Sequence, residues 1–285
     1  MEHQPVLTEQ VIKFIPQKEN LRIIDGTYGS GGHAESILQR LSEDSIYIGF
    51  DQDSSVQPRK NHAQDSRFHF INDSYHTIQE NCGEQKYDVI LLDCGISSEQ
   101  VDTVNRGFSW KHDAPLDMRF NQKKGLPVSE LIAQKTEEEL QESIKKYGEI
   151  YKIGKLVAWI KRELPKTTTE LADIIFIFYR NIPRSQRINR VTRIFQALRI
   201  EANNELEILQ QGIDNAYEVL EKKGRILCIT YHSLEHKIVK YTFKKWQKEK
   251  RGEMITKKVV KPSHEEIKYN KRAKYAQLRV FEKHD

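Results

Sequence analysis

Three aspartates occupy positions at which a carboxylate could bind a ligand. Asp25, Asp51 and Asp93 each end a short apolar run that is typical of a buried β-strand. In an open parallel sheet the carboxyl ends of the strands meet at one edge, and ligands bind there. We therefore expect the three carboxylates to line one ligand site.

A glycine-rich segment directly follows the first of these aspartates. It contains Gly26, Gly29, Gly31 and Gly32, and a helical pattern begins after His33. Glycine permits positive φ and lets the backbone approach a ligand without a Cβ atom in the way. The spacing also fits the looser dinucleotide fingerprint, so the glycines alone leave open a nicotinamide or flavin enzyme, or a turn that binds nothing.

The acids favour one of these ligands. Asp51 comes 26 residues after Asp25, where a carboxylate accepts hydrogen bonds from ribose hydroxyls. Nicotinamide enzymes share that acid, but they do not usually carry acids at the ends of the first and fourth strands as well. Three carboxylates would repel a pyrophosphate and would suit ammonium and sulfonium groups. The residues thus favour S-adenosylmethionine, with Asp25, Gly29 and Asp51 among its contacts.

These residues must be positioned by strands that alternate with helices. The patterns predict strands over 21–25, 45–51, 67–72 and 87–93, and helices over 8–15, from the glycine loop to 41, over 54–63 and over 74–81. This alternation predicts an α/β fold with a doubly wound, mostly parallel, Rossmann-like sheet.

The alternation stops in the middle of the chain. Strand signals are sparse from 106 to 203, where Thr136 with Glu139 and Thr167 with Glu170 have the spacing of capping boxes. We therefore predict an all-helical domain at 106–203, inserted into a core of 1–105 and 204–285. The second part of the core is predicted to contain helices over 204–222 and 233–246, a strand over 225–231, and an antiparallel pair over 255–260 and 276–281.

Composition narrows the class of protein. No apolar run reaches the roughly 20 residues that a membrane helix needs. The first residues lack the basic and apolar regions of a signal peptide, so we expect a cytoplasmic protein. The cysteines Cys82, Cys94 and Cys228 lie far apart, which predicts neither a disulfide framework nor a cysteine zinc site.

Positive charge is concentrated in two stretches. The segment from Arg180 to Arg199 contains six arginines and no acid, and the segment from Lys237 to Lys274 contains fourteen Lys and Arg against four Glu. Clustered cations are typical of a protein with a polyanionic partner. A solvated helix face is the alternative, most of all for the lysine-rich segment. For the arginines we favour a nucleic acid, because guanidinium groups suit phosphate contacts and base stacking.

Several ordered motifs resemble one family. They are Asp25-Gly-Thr-Tyr-Gly-Ser-Gly-Gly-His33, Leu92-Asp-Cys-Gly-Ile-Ser-Ser98, Arg106-Gly-Phe-Ser109, Pro115-Leu-Asp-Met-Arg119, Phe195-Gln-Ala-Leu-Arg-Ile200 and His232-Ser-Leu-Glu235. Together they resemble the bacterial small-subunit ribosomal RNA cytosine-N4 methyltransferases of the MraW or RsmH type. Cys94, Glu99 and His236 depart from the family pattern, which has an apolar residue, a proline and an aspartate at these places.

The resemblance implies an S-adenosyl-L-methionine-dependent methyltransferase. Its substrate would be the exocyclic N4 amine of a cytosine in the decoding region of small-subunit (16S) ribosomal RNA, within the assembled subunit. Carried over by position, the implied cofactor contacts are Gly31, Gly32, His33, Asp51, Tyr75, Asp93 and Gln100. Free RNA as the substrate, and a monomer or a homodimer as the assembly, remain open.

Transfer to this amine needs help, because its lone pair is delocalised into the ring. An acceptor that holds one amine hydrogen lets the nitrogen pyramidalise, and Asp93 is placed to be that acceptor. Phe108 or Trp110 is then expected to stack on the flipped base. Asp117, Arg119 and His232 are further catalytic candidates; a merely structural pairing of Arg119 with Asp117 is the alternative.

Other functions remain open from the sequence. His232-Ser-Leu-Glu235-His236 matches a zinc-protease pattern, but it lies at the ligand edge of the sheet without an obvious third ligand, so we expect no metal. The alternatives are an amine methyltransferase acting on DNA or another RNA, a nicotinamide oxidoreductase, and a nonenzymatic RNA-binding assembly factor.

Overall fold

A computed structural model describes residues 5–83 and 85–284 of the chain. The side chain of Glu99, which departs from the family pattern, lies outside the described part. The chain divides into two compact units, the first formed by Met1–Gly95 with Leu206–Asp285 and the second by Ile96–Glu205. These borders differ from the predicted 106–203, since the second unit includes residues that directly follow the strand ending at Asp93.

A seven-stranded sheet organises the first unit, in the order β3-β2-β1-β4-β5-β7-β6. Its strands are β1 (Arg22–Asp25), β2 (Ile46–Phe50), β3 (Phe68–Ile71), β4 (Tyr87–Asp93), β5 (Leu220–Thr230), β6 (Gly252–Met254) and β7 (Gln277–Lys283). The first five strands pair in parallel, and β7 runs antiparallel between β5 and β6. This order confirms the predicted doubly wound, mostly parallel, Rossmann-like α/β fold.

Helices connect these strands and build the second unit. In chain order the described α-helices are α1 (Thr8–Phe14), α2 (Gly32–Leu38), α3 (Lys60–Ala63), α4 (Ile78–Cys82), α5 (Ser98–Asp102), α6 (Val128–Gln134), α7 (Glu137–Gly148), α8 (Gly154–Glu163), α9 (Thr168–Phe178), α10 (Arg184–Asn203), α11 (Glu205–Val219), α12 (Ser233–Lys248) and α13 (His264–Tyr269). Short 3-10 helices occur at Tyr75–Thr77, Val104–Arg106 and Lys271–Tyr275. No helix in the described part of the chain has the length and apolar character needed to cross a membrane.

Both faces of the sheet are covered, which explains the continuous apolar sequence of β4. Successive side chains of a strand point to opposite faces. Ile90 and Leu92 therefore belong to one buried cluster with Ile213 of α11, whereas Leu91 belongs to the other with Ile37 of α2. The cofactor edge predicted from sequence is thus the end of a sheet held rigid by packing on both sides.

Three predicted elements of the first unit differ from the structure. The helix expected over 54–63 is reduced to Lys60–Ala63, because Asp53 accepts hydrogen bonds from the Ser55 backbone and hydroxyl and Pro58 disfavours a helical residue before it. The helix expected to reach 222 ends at Val219, where β5 begins.

The third difference concerns the terminal antiparallel pair. Its first strand, β6, lies at Gly252–Met254 and not over 255–260. The Thr256 hydroxyl accepts a hydrogen bond from the Val280 backbone at 3.0 Å and so replaces part of the strand ladder. The segment also meets β7 through the Ile255 N–H, which donates to the Val280 carbonyl oxygen at 3.0 Å, and through the bridge between Val260 and Leu278.

The second unit is built from helices and one isolated bridge between Pro115 and Thr167 within its described residues. Both predicted capping boxes are present. The Thr136 hydroxyl accepts from the Glu139 backbone at the start of α7, and the Thr167 hydroxyl accepts from the Glu170 backbone at the start of α9. These local signals fix where two of its long helices begin.

Candidate cofactor and active site

Asp25, Asp51 and Asp93 lie at the same edge of the sheet, as their positions at strand ends predict. Asp25 and Asp93 are the last residues of the neighbouring strands β1 and β4, and Asp51 directly follows β2. The three carboxylates nevertheless have different surroundings, and these surroundings determine what each can do.

Asp25 is almost fully buried and its oxygens are already occupied. One oxygen accepts a hydrogen bond from the Tyr47 hydroxyl at 2.8 Å, and the other accepts from the Thr27 backbone N–H at 3.1 Å. Burial raises the pKa of Asp25, which the nearby His33 opposes. The Thr27 hydroxyl also accepts from the Asp93 backbone N–H at 2.7 Å, so Asp25 and Thr27 brace the two strand ends against each other.

The glycine loop closes over a tyrosine. Gly29 and Gly31 adopt φ of 54° and 74°, a left-handed conformation that favours glycine. A Cβ atom on Gly31 would lie 2.6 Å from the Tyr28 hydroxyl. The loop backbone therefore packs directly against the Tyr28 side chain at Gly31, and α2 begins at Gly32.

Asp51 holds this loop from the side of β2. Its Oδ2 accepts from the Gly29 N–H at 2.8 Å, and its Oδ1 accepts from the Asp53 N–H at 2.9 Å. Burial raises the pKa of Asp51 from its ordinary 3.8 to about 6, although both hydrogen bonds oppose the shift. A ligand hydroxyl donating to this carboxylate would stabilise its charged form.

His33 and Asp93 retain unused hydrogen-bonding capacity. Both ring nitrogens of His33 and the Oδ1 atom of Asp93 are buried without a hydrogen-bond partner among the described residues. The closest approach between the two side chains is 3.6 Å, from His33 Nε2 to Asp93 Oδ2. A buried polar group without a partner costs stability unless something satisfies it, and a polar ligand at this edge would do so.

Sequence reasoning missed Tyr231, which directly follows β5 at the same edge. Burial, together with the negative charge of Asp93 and a hydrogen bond to it, raises the pKa of the Tyr231 hydroxyl well above its usual value. The hydroxyl thus stays protonated, close to the Asp93 carboxylate. Its place after an apolar parallel strand was the available signal, but an aromatic residue there is also typical of the strand itself.

Tyr75 lies behind the loop and is 9% exposed. A Cβ atom on Gly26 would lie 2.8 Å from the Tyr75 Cβ atom, and one on Gly212 would lie 2.3 Å from the edge of its ring. The ring is therefore wedged between the glycine loop and α11. Only a small part of it is available to stack on a ligand.

Gln100 belongs to the second unit, in α5. Its side-chain oxygen accepts from the Ser97 N–H at 3.1 Å, and the Ser97 hydroxyl accepts from the Gln100 N–H at 3.1 Å. This reciprocal pair fixes the first turn of α5.

Asp117 and Arg119, also in the second unit, form a closed ion pair. Arg119 Nε donates to Asp117 Oδ1 at 2.7 Å, and its second terminal nitrogen donates to Oδ2 at 3.0 Å. Gln122 adds a further hydrogen bond to Oδ2 at 3.0 Å. Burial would raise the pKa of Asp117, but these hydrogen bonds outweigh it and hold the pKa below its usual range. Both oxygens of this buried carboxylate are satisfied within the protein.

The aromatic candidates for base stacking also have partners in the second unit. Phe108 stacks on Phe120 with ring centroids 5.5 Å apart, and Arg106 lies 5.7 Å from its ring centroid. Trp110 meets Phe176 edge to face at 5.6 Å. One face of the Phe108 ring is therefore already engaged, and Trp110 packs against Phe176.

His232 is the N-cap of α12. Its Nδ1 accepts from the Glu235 N–H at 3.4 Å, while Glu235 accepts from the backbone N–H groups of Tyr231 and His232. His236 instead faces Thr230, with 2.5 Å between its Nδ1 and the hydroxyl. The His-x-x-Glu-His pattern is thus a capping box whose two imidazoles have different protein partners.

Comparison with known proteins follows these motifs along the whole chain. Residues 1–284 match the model of the MraW methylase family. Three relatives called ribosomal RNA small subunit methyltransferase H come from Coprothermobacter proteolyticus (39% identical), Clostridioides difficile (37%) and Polynucleobacter asymbioticus (38%). Each alignment covers 99% of this chain and 96%, 98% and 97% of the respective relative. The chain belongs to the MraW methylase family.

Proposed function

We propose that this protein transfers a methyl group from S-adenosylmethionine to the N4 amine of a cytosine in the decoding region of 16S ribosomal RNA. Its membership of a methylase family and the names of its relatives support the methyl transfer and the ribosomal RNA substrate. The position of the methyl group and the identity of the nucleotide rest on the sequence resemblance.

The observation that carries the proposal is the unsatisfied pair at the sheet edge. His33 and Asp93 combine an imidazole and a carboxylate oxygen that are buried and unpartnered among the described residues. A ligand with an ammonium group and a primary amine would satisfy both. The neighbouring Asp25 and Asp51 add negative charge, which suits a cationic ligand and disfavours a pyrophosphate.

The cofactor contacts divide into direct and supporting ones in this proposal. Asp51 accepts hydrogen bonds from the ribose hydroxyls, and the backbone of Gly29, Gly31 and Gly32 lies along the ligand. His33 and Asp93 supply polar contacts, and Tyr75 offers the edge of its ring to the adenine. Asp25 acts indirectly by bracing Thr27, because it is buried and Tyr47 and Thr27 already donate to its oxygens, whereas Asp51 is partly exposed.

Bound S-adenosylmethionine supplies a methyl group on a positively charged sulfur. During transfer a carbon–nitrogen bond forms, the carbon–sulfur bond breaks with its electron pair remaining on sulfur, and the amine passes one proton to the Asp93 carboxylate. Asp93 holds one amine hydrogen through a carboxylate oxygen, which favours the pyramidal nitrogen that attacks. The protonated Tyr231 hydroxyl lies close to this carboxylate.

The other predicted catalytic residues receive different roles in the proposal. Asp117 and Arg119 satisfy each other, which supports a positioning role in the loop that follows Arg106. The Arg106 guanidinium donates to the carbonyl oxygens of Arg119 and Phe120, so this loop is tied at both ends. His232 caps α12 and thereby shapes the loop after β5.

Positive charge on the second unit supports an RNA substrate. Arg199 forms a two-bond pair with Glu205 and Arg193 contacts Glu149, so these two arginines serve the fold. Arg180 and Arg184 are exposed near the start of α10 and can contact phosphate. We propose that the second unit recognises RNA through these residues, together with the lysine-rich segment of the first unit.

The test is methyl transfer from radiolabelled S-adenosylmethionine to four acceptors. We expect label to enter assembled small subunits, with much less in free 16S RNA and none in large subunits or duplex DNA. Nuclease digestion with mass spectrometry should then place the methyl group on N4 of a single decoding-region cytosine.

Each other outcome identifies an alternative. Label in DNA or in another RNA would identify that nucleic acid as the substrate. Binding to subunits without transfer would indicate an assembly factor. Calorimetric binding of NAD in place of S-adenosylmethionine would indicate an oxidoreductase. Asp93→Asn serves as the inactive control, because it leaves the shape of the site unchanged.

A further inference from the structure

A cavity bordered by basic side chains lies in the first unit, at the ends of the strands opposite to the three aspartates. It has a volume of about 350 Å³ and is bordered by the start of β5 and the end of β7. Six basic side chains line it: Lys86, Lys222, Lys250, Arg251, Lys283 and His284. Its volume falls within the roughly 300–1,000 Å³ of small-ligand sites.

Carbonyl oxygens and an aromatic ring, which are uncharged groups, hold three of these cations in position. Lys283 Nζ donates to the carbonyl oxygens of Tyr217 and Leu220 at 3.1 and 2.9 Å. Lys86 Nζ donates to the carbonyl oxygen of Glu218 at 2.7 Å. The Arg251 guanidinium lies 3.9 Å from the centroid of the Tyr217 ring. These contacts fix the positions of three positive charges and neutralise none of them.

Few carboxylates balance this charge. Glu218 and Glu249 lie 3.4 and 3.8 Å from Arg251, but both are exposed, so the pairs are weak. Glu221 lines the cavity, and its carboxylate accepts from the Lys222 backbone. Burial, followed by the nearby charges of Lys86 and Arg251, holds the pKa of Lys283 below its usual value. An anion in the cavity would relieve this repulsion.

The aromatic ring in the cavity indicates the kind of anion. Arg251 and Lys283 lie 3.9 and 4.6 Å from the centroid of Tyr217, so cations already occupy the ring. A nucleobase would have to displace them to stack there. A ligand with several phosphate oxygens gains hydrogen bonds from the guanidinium and the ammonium groups without displacing anything.

We propose that this cavity binds phosphate groups, at a site separate from the strand-end aspartates. The occupant is either a short run of RNA backbone phosphates or a free compound with linked phosphates. Since both present the same chemistry, inorganic pyrophosphate is a suitable first probe.

The test is calorimetric titration of the full-length protein with pyrophosphate, in the absence of S-adenosylmethionine and RNA. We expect saturable binding by the native protein and a loss of at least tenfold in affinity in the double variant Lys222→Glu/Lys250→Glu. Both lysines are exposed, so the fold should be retained. The matched control is Lys13→Glu/Lys60→Glu, which changes the net charge equally at exposed lysines outside the cavity and outside the lysine-rich segment.

No saturable binding by the native protein, or equal losses in the two double variants, would overturn the proposal. Fluorescence anisotropy with a labelled single-stranded RNA then identifies the source. A larger loss of RNA affinity in the cavity variant than in the control indicates backbone phosphates, and equal RNA affinities indicate a free phosphate compound. Because the pyrophosphate titration involves neither RNA nor methyl transfer, its outcome is independent of the proposed function.

Discussion

The edge of the sheet in the first unit and the Asp117 loop in the second unit each contain a largely buried aspartate, but the two carboxylates differ in their hydrogen bonding. At the sheet edge, a buried carboxylate oxygen of Asp93 and both nitrogens of His33 have no hydrogen-bond partner among the described residues. In the loop, Asp117 receives hydrogen bonds on both oxygens from Arg119 and Gln122. Both regions carry family-like motifs, so the motifs alone do not separate them.

The difference lies in what remains for a ligand to satisfy. A buried acceptor without a partner costs free energy, and a bound ligand recovers that cost. A carboxylate whose bonds are complete stabilises its own loop and has little left to offer. We therefore expect the sheet edge to bind a ligand and the Asp117–Arg119 pair to stabilise its own loop.

The largest effect should come from removing the charge of Asp93. Asp93→Asn keeps the size of the side chain but weakens its ability to hold an amine hydrogen, so we expect the methyl-transfer rate to fall by about 10²–10⁴-fold. Single-turnover assays with assembled subunits measure this rate. A rate within threefold of the native protein, with an unchanged circular dichroism spectrum, would remove Asp93 from the mechanism.

Breaking the ion pair between Asp117 and Arg119 should lower the stability of the protein more than its methyl-transfer rate. Arg119→Ala leaves the buried Asp117 carboxylate without its main partner, so we expect the free energy of unfolding to fall by about 2–4 kcal/mol. Denaturant titration measures this loss. Arg162→Ala removes an exposed pair in the same unit and should change nothing measurable. A fully stable Arg119→Ala protein with no activity would instead make Arg119 catalytic.

Cofactor binding should depend on pH through Asp51, whose pKa is raised to about 6. Ribose hydroxyls donate to the charged carboxylate, so affinity should fall as the pH drops below 6, by up to about tenfold per pH unit. The stability of the ligand-free protein has the opposite sign. Because the folded pKa lies above the ordinary 3.8, this contribution is complete below about pH 4 and is lost as the pH rises through 6.

Titration of S-adenosylmethionine between pH 5 and 8, beside thermal unfolding of the ligand-free protein, would measure both trends. Asp51→Asn should flatten each of them. A pH dependence that survives this substitution would assign the titration to another group.

The smallest effect is expected at His232. His232→Asn keeps a good N-cap side chain, so we expect the stability to change by less than about 0.5 kcal/mol and the rate by less than about threefold. Thermal unfolding and single-turnover assays measure the two quantities. A hundredfold loss in rate would indicate that His232 takes part in the reaction and does not only cap α12.

Features that depend on neighbouring residues could be predicted from the sequence. The capping boxes at Thr136 and Thr167 involve residues three apart, and both formed as expected. The alternation of strands and helices similarly fixed the fold class and brought Asp25 and Asp93 to one edge.

Features that depend on distant partners could not be predicted in this way. The Tyr47 hydroxyl donates to Asp25, which is 22 residues away in the sequence. Tyr231 comes close to Asp93 only after the sheet has formed. The first strand of the terminal pair was misplaced because the Thr256 hydroxyl substitutes for a backbone partner. In each case a side chain meets a group that its own segment does not specify.

The pairing of β4 with β5 has a consequence for synthesis on the ribosome. Ile90 pairs with Ile226, so the apolar β4 emerges long before its neighbour on that side exists. At about 5–20 residues per second, the half-built sheet waits roughly 6–25 s with an unprotected edge. During that time the contiguous second unit is translated and can fold first. Slowing translation after residue 95 should therefore increase aggregation of the nascent chain.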